Sequence, residues 1–240
     1  MLSTNQGLVL RAVKYSETSL ICDFFTRDWG LRTYIINGVR QPAPTIAPLL
    51  LKPSSLLEFV AYHQLSKEIN RLKEAKPLLV YQQIPFVVTH GAVALFICEL
   101  LHKVLKGAPA STALFDYLVY FFGKLDRCQK GLANLSLIFT AQLTAHLGFT
   151  PQISSYTESA YFDYKNGIFV VDKPSHLHYF EKLESQTLVD ILCTDAADCH
   201  CLQIEKELRA TTLSALLDFY SFHIAGFSAL QSYKVLQNIF

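Results

Sequence analysis

Cys193, Cys199, His200 and Cys201 crowd into nine residues, with His176 and His178 upstream. Thiolates and imidazoles are the groups with which zinc is usually held. Structural zinc sites mostly present paired C-x-x-C knuckles, however, and Cys199 and Cys201 are only two apart. The spacing argues against a native metal site, so these residues are read as small, partly buried loop side chains; free cysteine often behaves as a compact hydrophobe. His176 and His178 would share one strand face, as two ligands can, yet Leu177, Tyr179 and Phe180 around them describe an ordinary packed or exposed segment. His90, His102, His146 and His223 sit in helical patterns and receive no role. Dinucleotide, P-loop, nucleophile-elbow and H-E-x-x-H signatures are all missing. No catalytic residue, cofactor or metal is expected.

A different chemistry is written into the first third. Arg32 and Tyr34 lie two apart in an expected strand, which places a guanidinium for phosphate beside a ring on which a base could stack. Arg71 and Lys73 repeat the spacing. With Arg11, Lys14, Arg27 and Arg40 they make up the candidate nucleic-acid-binding set, and Trp29 is a weaker stacking candidate that could instead pack over its turn. The pattern fits equally a set of charges that merely solvate a sheet exterior. Strand facing is ambiguous as well, because Val9, Arg11 and Val13 share one parity.

Five short β-prone runs must position these side chains: Gly7–Val13, Ser19–Thr26, Leu31–Val39, Ser55–His63 and Glu68–Lys76. Asp28-Trp29-Gly30 can close a hairpin, whereas Asn37-Gly38 and the prolines at 42, 44, 48 and 53 interrupt the ladder between the third and fourth runs. Five strands in about 80 residues predict a small barrel. After Pro85 the apolar spacing turns helical over Phe86–Lys106, Thr112–Arg127 and Leu132–Leu147, three helices expected to pack as one bundle. Further helices are expected near Thr187–Leu192, Ile204–Ile224 and Ser228–Ile239. Between them Lys165-Asn166-Gly167 predicts a β-hairpin over 161–171. The fold class is therefore α+β: a five-stranded barrel over 1–80, then a mostly helical domain over 81–240 with an inserted hairpin.

The 240 residues are 51% hydrophobic, 17% charged and 12% aromatic, which excludes a disordered chain. The formal net charge of +1 gives no whole-chain attraction to polyanions. The distribution is uneven. Residues 1–80 carry ten basic against six acidic side chains, and the remainder carries 11 basic against 14 acidic. Met1–Gly7 lacks the marks of a secretory leader, and Phe86–Cys98 is too short and too interrupted to span a membrane. A cytoplasmic protein with six reduced cysteines and no membrane partner is expected.

Tyr15-Ser16-Glu17-Thr18-Ser19-Leu20, Asp23-Phe24-Phe25-Thr26, Gly30 and Asn37-Gly38-Val39-Arg40 resemble the opening of the bacterial recombination mediator RecO family. Arg71-Leu72-Lys73-Glu74-Ala75 is similar to the end of that family's OB-fold domain. Phe115-Asp116-Tyr117-Leu118, Ala145–Pro151 and Leu217–Phe227 resemble segments of its helical part. The resemblance implies an OB-fold barrel and a non-enzymatic DNA repair protein acting on nucleoid DNA. Such a protein binds single- and double-stranded DNA, anneals complementary strands, and works with RecR to load RecA onto strands coated by single-strand-binding protein. It also implies that the helical part docks the acidic, apolar tail of single-strand-binding protein on a groove with a basic rim, for which Lys103, Lys106, Lys124, Arg127 and Lys130 are candidates.

Two departures from the family stand out. Many relatives have a four-cysteine zinc module where residues 151–172 contain neither Cys nor His, so the 161–171 hairpin is expected in its place and zinc is not carried over. The basic run common after the Gly-x-Arg turn is reduced here to Arg40. The rival readings are a protein-only adaptor, whose function would survive charge reversal at Arg32 and Arg71, and a metal-dependent enzyme, which would purify with zinc. If about four phosphates are engaged, log affinity for single strands should fall with log salt at a slope near −3.

Overall fold

The computed structural model describes residues 2–39, 41–42 and 44–240. Two compact units divide the chain, Met1–Asp126 and Arg127–Phe240. In the first, strands β1 (Leu2–Lys14), β2 (Leu20–Thr26), β3 (Gly30–Ile36), β4 (Leu56–Tyr62) and β5 (Ile69–Pro77) close a barrel in the order β1-β2-β3-β5-β4. All pairings are antiparallel except β3 with β5. This is the OB-fold connectivity.

Closure depends on β1 serving two neighbours. Its first half pairs Leu2–Leu8 with Tyr62–Leu56, and its second half pairs Gly7–Lys14 with Thr26–Leu20. The turn between the two ladders is made by Gly7 and by a bulge at Leu10. A Cβ on Gly7 would sit 3.0 Å from the Phe59 ring and 3.2 Å from Phe24, so a side chain there would crowd the barrel axis. That axis is filled by Phe24, Tyr34 and Phe59, with centroids 5.2–5.3 Å apart in tilted and edge-on contacts. Val9, Cys22, Ile36, Leu57, Ala61 and Leu72 complete the core.

Part of the barrel exterior is covered. Helices α1 (Val88–Val104) and α2 (Thr112–Arg127) begin within the same unit, α1 packing on β1 above the buried Leu8 and Leu10. The Cys98 thiol reaches the Val9 carbonyl at 3.7 Å, and Phe115 meets Phe25 at 6.4 Å. Asp126 ties the segment leading into α1: its buried carboxylate accepts the Gln82, Gln83 and Ile84 amides at 2.8–2.9 Å. Backbone donors held together this way are satisfied without solvent.

The second unit joins α3 (Leu132–Leu147), strands β6 (Tyr161–Asp163), β7 (Ile168–Val170) and β8 (Tyr179–Phe180), α4 (Lys182–Cys193), α5 (Lys206–His223) and α6 (Gln231–Ile239). Here α3 packs against α4 and α5. Of the three helices expected as one bundle, α1 and α2 belong to the first unit and α3 to the second. The inserted hairpin is present, with β8 added to make the order β7-β6-β8. Its loop is four residues, not a two-residue turn, since Asp163 pairs with Ile168. The Asp163 carboxylate organises it by accepting from the Lys165 and Asn166 amides and from Asn166 Nδ2, and only Gly167 adopts positive φ. Among the described residues, no helix is long and apolar enough to cross a membrane.

Candidate nucleic-acid interface

Strand register decides which of the expected side chains reach the surface. Arg32 and Tyr34 do share a face, but it is the inner one: they pair with Phe24 and Cys22, both in the core. Tyr34 is fully buried, and burial pushes its hydroxyl well above the ordinary phenol range. No base can reach it, so Tyr34 is a core residue and not a stacking platform. Arg32 is half-buried, and its charge acts on Tyr34 and His63. Its Nε is buried without a hydrogen-bond partner among the described residues. Trp29 stacks on His63 at 3.8 Å and 7°, with Phe59 at its edge. Burial, then the Arg32 charge, holds His63 below its ordinary pKa, so the stack sits on a neutral imidazole.

Three other cations are tied to carboxylates. Arg27 is held by both Asp116 oxygens on α2 and lies over the Phe115 ring at 5.9 Å. Arg11 Nε donates to Asp23 at 2.9 Å. Asp23 also accepts from Thr33 Oγ1 at 2.7 Å and lies 2.9 Å from His102 Nε2. Burial would raise the Asp23 pKa, but the His102 and Thr33 hydrogen bonds and the Arg11 charge outweigh it and hold the carboxyl at about 2. Lys73 pairs with its neighbour Glu74 at 2.8 Å. The cause is a bulge: Val60 opposes Glu74 and Ala61 opposes Leu72, so Lys73 is the extra residue and lies beside Glu74 instead of opposite to it.

Lys14 stands exposed at the end of β1, and Arg71 stands exposed on β5; neither forms a salt bridge to a described residue. Arg40 lies outside the described residues. Arg71 is the centre of an outward row. Reading across the register, Val13 opposes Ile21, Ile21 opposes Ile35, Ile35 opposes Arg71, and Arg71 opposes Tyr62, which opposes Leu2. Tyr62 is 48% exposed and lies between Leu2 and Arg71, near enough to Lys73 to feel its charge. Arg11 lies in the neighbouring outward row with Asp23, Thr33 and Ile69. Three inter-strand steps and two residues along β5 separate Arg11 from Arg71, roughly 15 Å along the sheet at the usual strand spacing, a reach of two or three nucleotides.

The barrel therefore presents a shallow, outward aromatic and aliphatic strip with Arg71 at its middle, not a row of seven cations. Sequence reasoning missed Tyr62. Its signal was available, since Leu57, Phe59 and Ala61 alternate inward and Tyr62 falls on the opposite parity.

A second surface lies within the helical unit. Leu213, Tyr233, Leu236 and Phe240 line a cavity of about 200 Å³ with Lys206 and Arg209 at its border. Arg209 is oriented by donating to Asn134 Oδ1 and to the Ile204 carbonyl, both at 3.3 Å. These cations were not among those expected to rim a groove. Of those, Lys103 lies 3.8 Å from Glu99 and Lys124 lies over the Tyr120 ring.

The chain matches two family models, "Recombination protein O N terminal" over residues 1–81 and "Recombination protein O C terminal" over residues 89–230. It is 30% identical over 241 residues to the "DNA repair protein RecO" of Bacteroides fragilis, 28% over 240 residues to that of Phocaeicola vulgatus, and 32% over 241 residues to that of Christiangramia forsetii. Each of these alignments covers the whole of both chains.

Proposed function

Since this chain belongs to the recombination protein O family and is a DNA repair and recombination mediator, we propose that it does this work by holding single strands on the outer face of its barrel. Tyr62 stacks a base while Arg71, and Arg11 and Lys73 when released from their carboxylates, take neighbouring phosphates. The observation that carries this reading is the exposed Tyr62 ring directly opposite an Arg71 with no carboxylate partner among the described residues. Stacking is worth roughly 1–3 kcal/mol per base and tolerates any sequence.

Annealing follows from the shallowness of the strip. Cations that neutralise backbone charge without burying bases leave the Watson–Crick edges free to meet a second strand. No covalent step belongs to this role, and none of the side chains assigned to it acts as a catalyst. Duplex DNA engages the same cations through phosphates alone.

The cavity between α5 and α6 supports the expected partner on the helical side. An acidic segment ending in a large apolar residue would place its side chain against Leu213, Tyr233 and Leu236 and its carboxylates on Lys206 and Arg209. The carboxy-terminal tail of single-strand-binding protein has that chemistry. In this scheme the protein reaches coated strands by that contact and acts with RecR to load RecA. The test is a fluorescence assay of complementary-strand annealing with and without single-strand-binding protein. Tyr62→Ala should slow annealing of naked and coated strands alike; Arg209→Glu should slow only the coated ones. Normal annealing by Tyr62→Ala with Arg71→Gln would refute the barrel assignment and favour a protein-only adaptor.

A further inference from the structure

All six cysteines are thiols, and the role described above uses none of them. Two that are 71 residues apart in sequence meet within the helical unit. Cys128, just beyond α2, has its Sγ 3.6 Å from Cys199 Sγ in the 3-10 segment Ala196–Cys201. Both sulfurs also lie within hydrogen-bond reach of the Lys130 carbonyl, at 3.2 and 3.4 Å.

The two segments are docked backbone to backbone. Gly131 adopts φ +76, and a Cβ there would fall 2.7 Å from the Cys199 carbonyl and from His200 N and Cα. Asn134 Nδ2 clamps the same segment by donating to the Cys199 and Leu202 carbonyls at 3.0 and 2.9 Å. A residue that only glycine can be and a buried amide therefore hold two sulfurs in contact. The two residues are unequal: Cys128 is partly exposed, while Cys199 is buried with 2% of its surface accessible.

We propose that Cys128 and Cys199 are a modification site, a reversible dithiol–disulfide couple in which Cys128 meets a peroxide and Cys199 resolves the product. The Cys128 thiolate attacks one oxygen of the peroxide; the O–O bond breaks, that oxygen stays on sulfur as sulfenic acid, and the other leaves as hydroxide, which takes up from solvent the proton the thiol had lost and becomes water. Cys199 then attacks the Cys128 sulfur; the S–O bond breaks, the S–S bond forms, and the departing hydroxyl leaves as a second water with the Cys199 proton. Two electrons from two thiols thus reduce one peroxide, and an external thiol reductant reverses the change. The protonation states suit these roles. The contact between the two sulfurs is the main cause that holds Cys128 at about 7, while the same contact and burial raise the Cys199 thiol. Cys22 and Cys98 are unsuited, because burial pushes each thiol up to about 12. Once formed, the bridge fixes the start of α3 to the segment leading into α5.

The test treats the full chain with one equivalent of hydrogen peroxide and maps it by non-reducing peptide mass spectrometry. Thiols should fall from six to four per chain, with a single cross-link between Cys128 and Cys199, retained in the Cys193→Ser, Cys201→Ser double variant. In Cys199→Ser the sulfenic acid on Cys128 should persist and be trapped by dimedone. The oxidised chain should melt about 5–10 °C higher, because a long loop of the unfolded chain is closed. A dominant Cys193–Cys201 cross-link would overturn the proposal. So would Cys128 passing to sulfinic acid while Cys199 stays a thiol, or a lower melting temperature after oxidation.

Discussion

Arg71→Gln tests the outward strip through salt dependence. Of the seven cations in the candidate set, Arg27, Arg11 and Lys73 are engaged by carboxylates, Arg32 faces inward, Lys14 and Arg71 are exposed without a salt bridge to a described residue, and Arg40 lies outside the described residues. Lys14, Arg71 and one cation released from its carboxylate then neutralise about three phosphates, and at about −0.7 per phosphate the single-strand slope of log affinity against log salt should be near −2, shallower than the −3 expected for four contacts. A slope of about −2 means about a 16-fold loss between 50 and 200 mM salt. Arg71→Gln should bring the slope to about −1.3 and the loss to about 6-fold. The measurement is fluorescence anisotropy of labelled oligo(dT) titrated with protein at several salt concentrations, with thermal melts to show that the exposed substitution leaves the fold intact. An unchanged slope in Arg71→Gln would refute the reasoning, because it would mean that phosphates are held elsewhere. Charge reversal at Arg27 offers a control: held by Asp116, it should affect packing on α2 more than the slope.

The two tyrosines should separate cleanly. Tyr62→Ala should weaken oligo(dT) binding by roughly 1–3 kcal/mol with little change in melting temperature, whereas Tyr34→Ala should cost roughly 3–5 kcal/mol of stability by opening a cavity among Phe24 and Phe59; denaturant titration and anisotropy on both variants check this. Because the folded Asp23 pKa lies at about 2, below its ordinary 3.8, its contribution is complete above about 4 and fades as pH falls toward 2. Urea unfolding between pH 2 and 5 should therefore show a decline that Asp23→Asn flattens, and parallel curves would count against the Arg11, Thr33 and His102 cluster. Gly131→Ala should lower stability by on the order of 2 kcal/mol, since it meets both a positive φ and the Cys199 backbone; a melt equal to wild type would mean that the two segments do not dock as described.

Much of the architecture was legible because it rests on local signals. Five β-prone runs with their turns, and apolar helical spacing ended by glycines such as Gly148, predict the barrel and the helices nearly where they stand. The family resemblance extended the reading to function. The candidate site was less legible, since alternation tells that Arg32 and Tyr34 share a side but not which side is inside. Two bulges decide the rest. Leu10 shifts β1 so that Val9 fills the core while Arg11 and Val13 face outward, which is how three residues of one parity divide. Lys73 shifts β5, bringing Glu74 alongside and neutralising a cation that the two-residue spacing offered to phosphate.

The linear order of residues by itself determined the element types, the cationic bias of the first third and the absence of any familiar catalytic motif. Tertiary structure alone decided that Tyr62, and not Tyr34, reaches the surface, that Arg27 is spent on Asp116, and that Cys128 touches Cys199. The physical reason is range: propensity and turn chemistry act between neighbours in sequence, whereas which charge is paired, which ring is buried and which thiols meet depend on segments dozens of residues apart being brought together by closure of the barrel and packing of the helices.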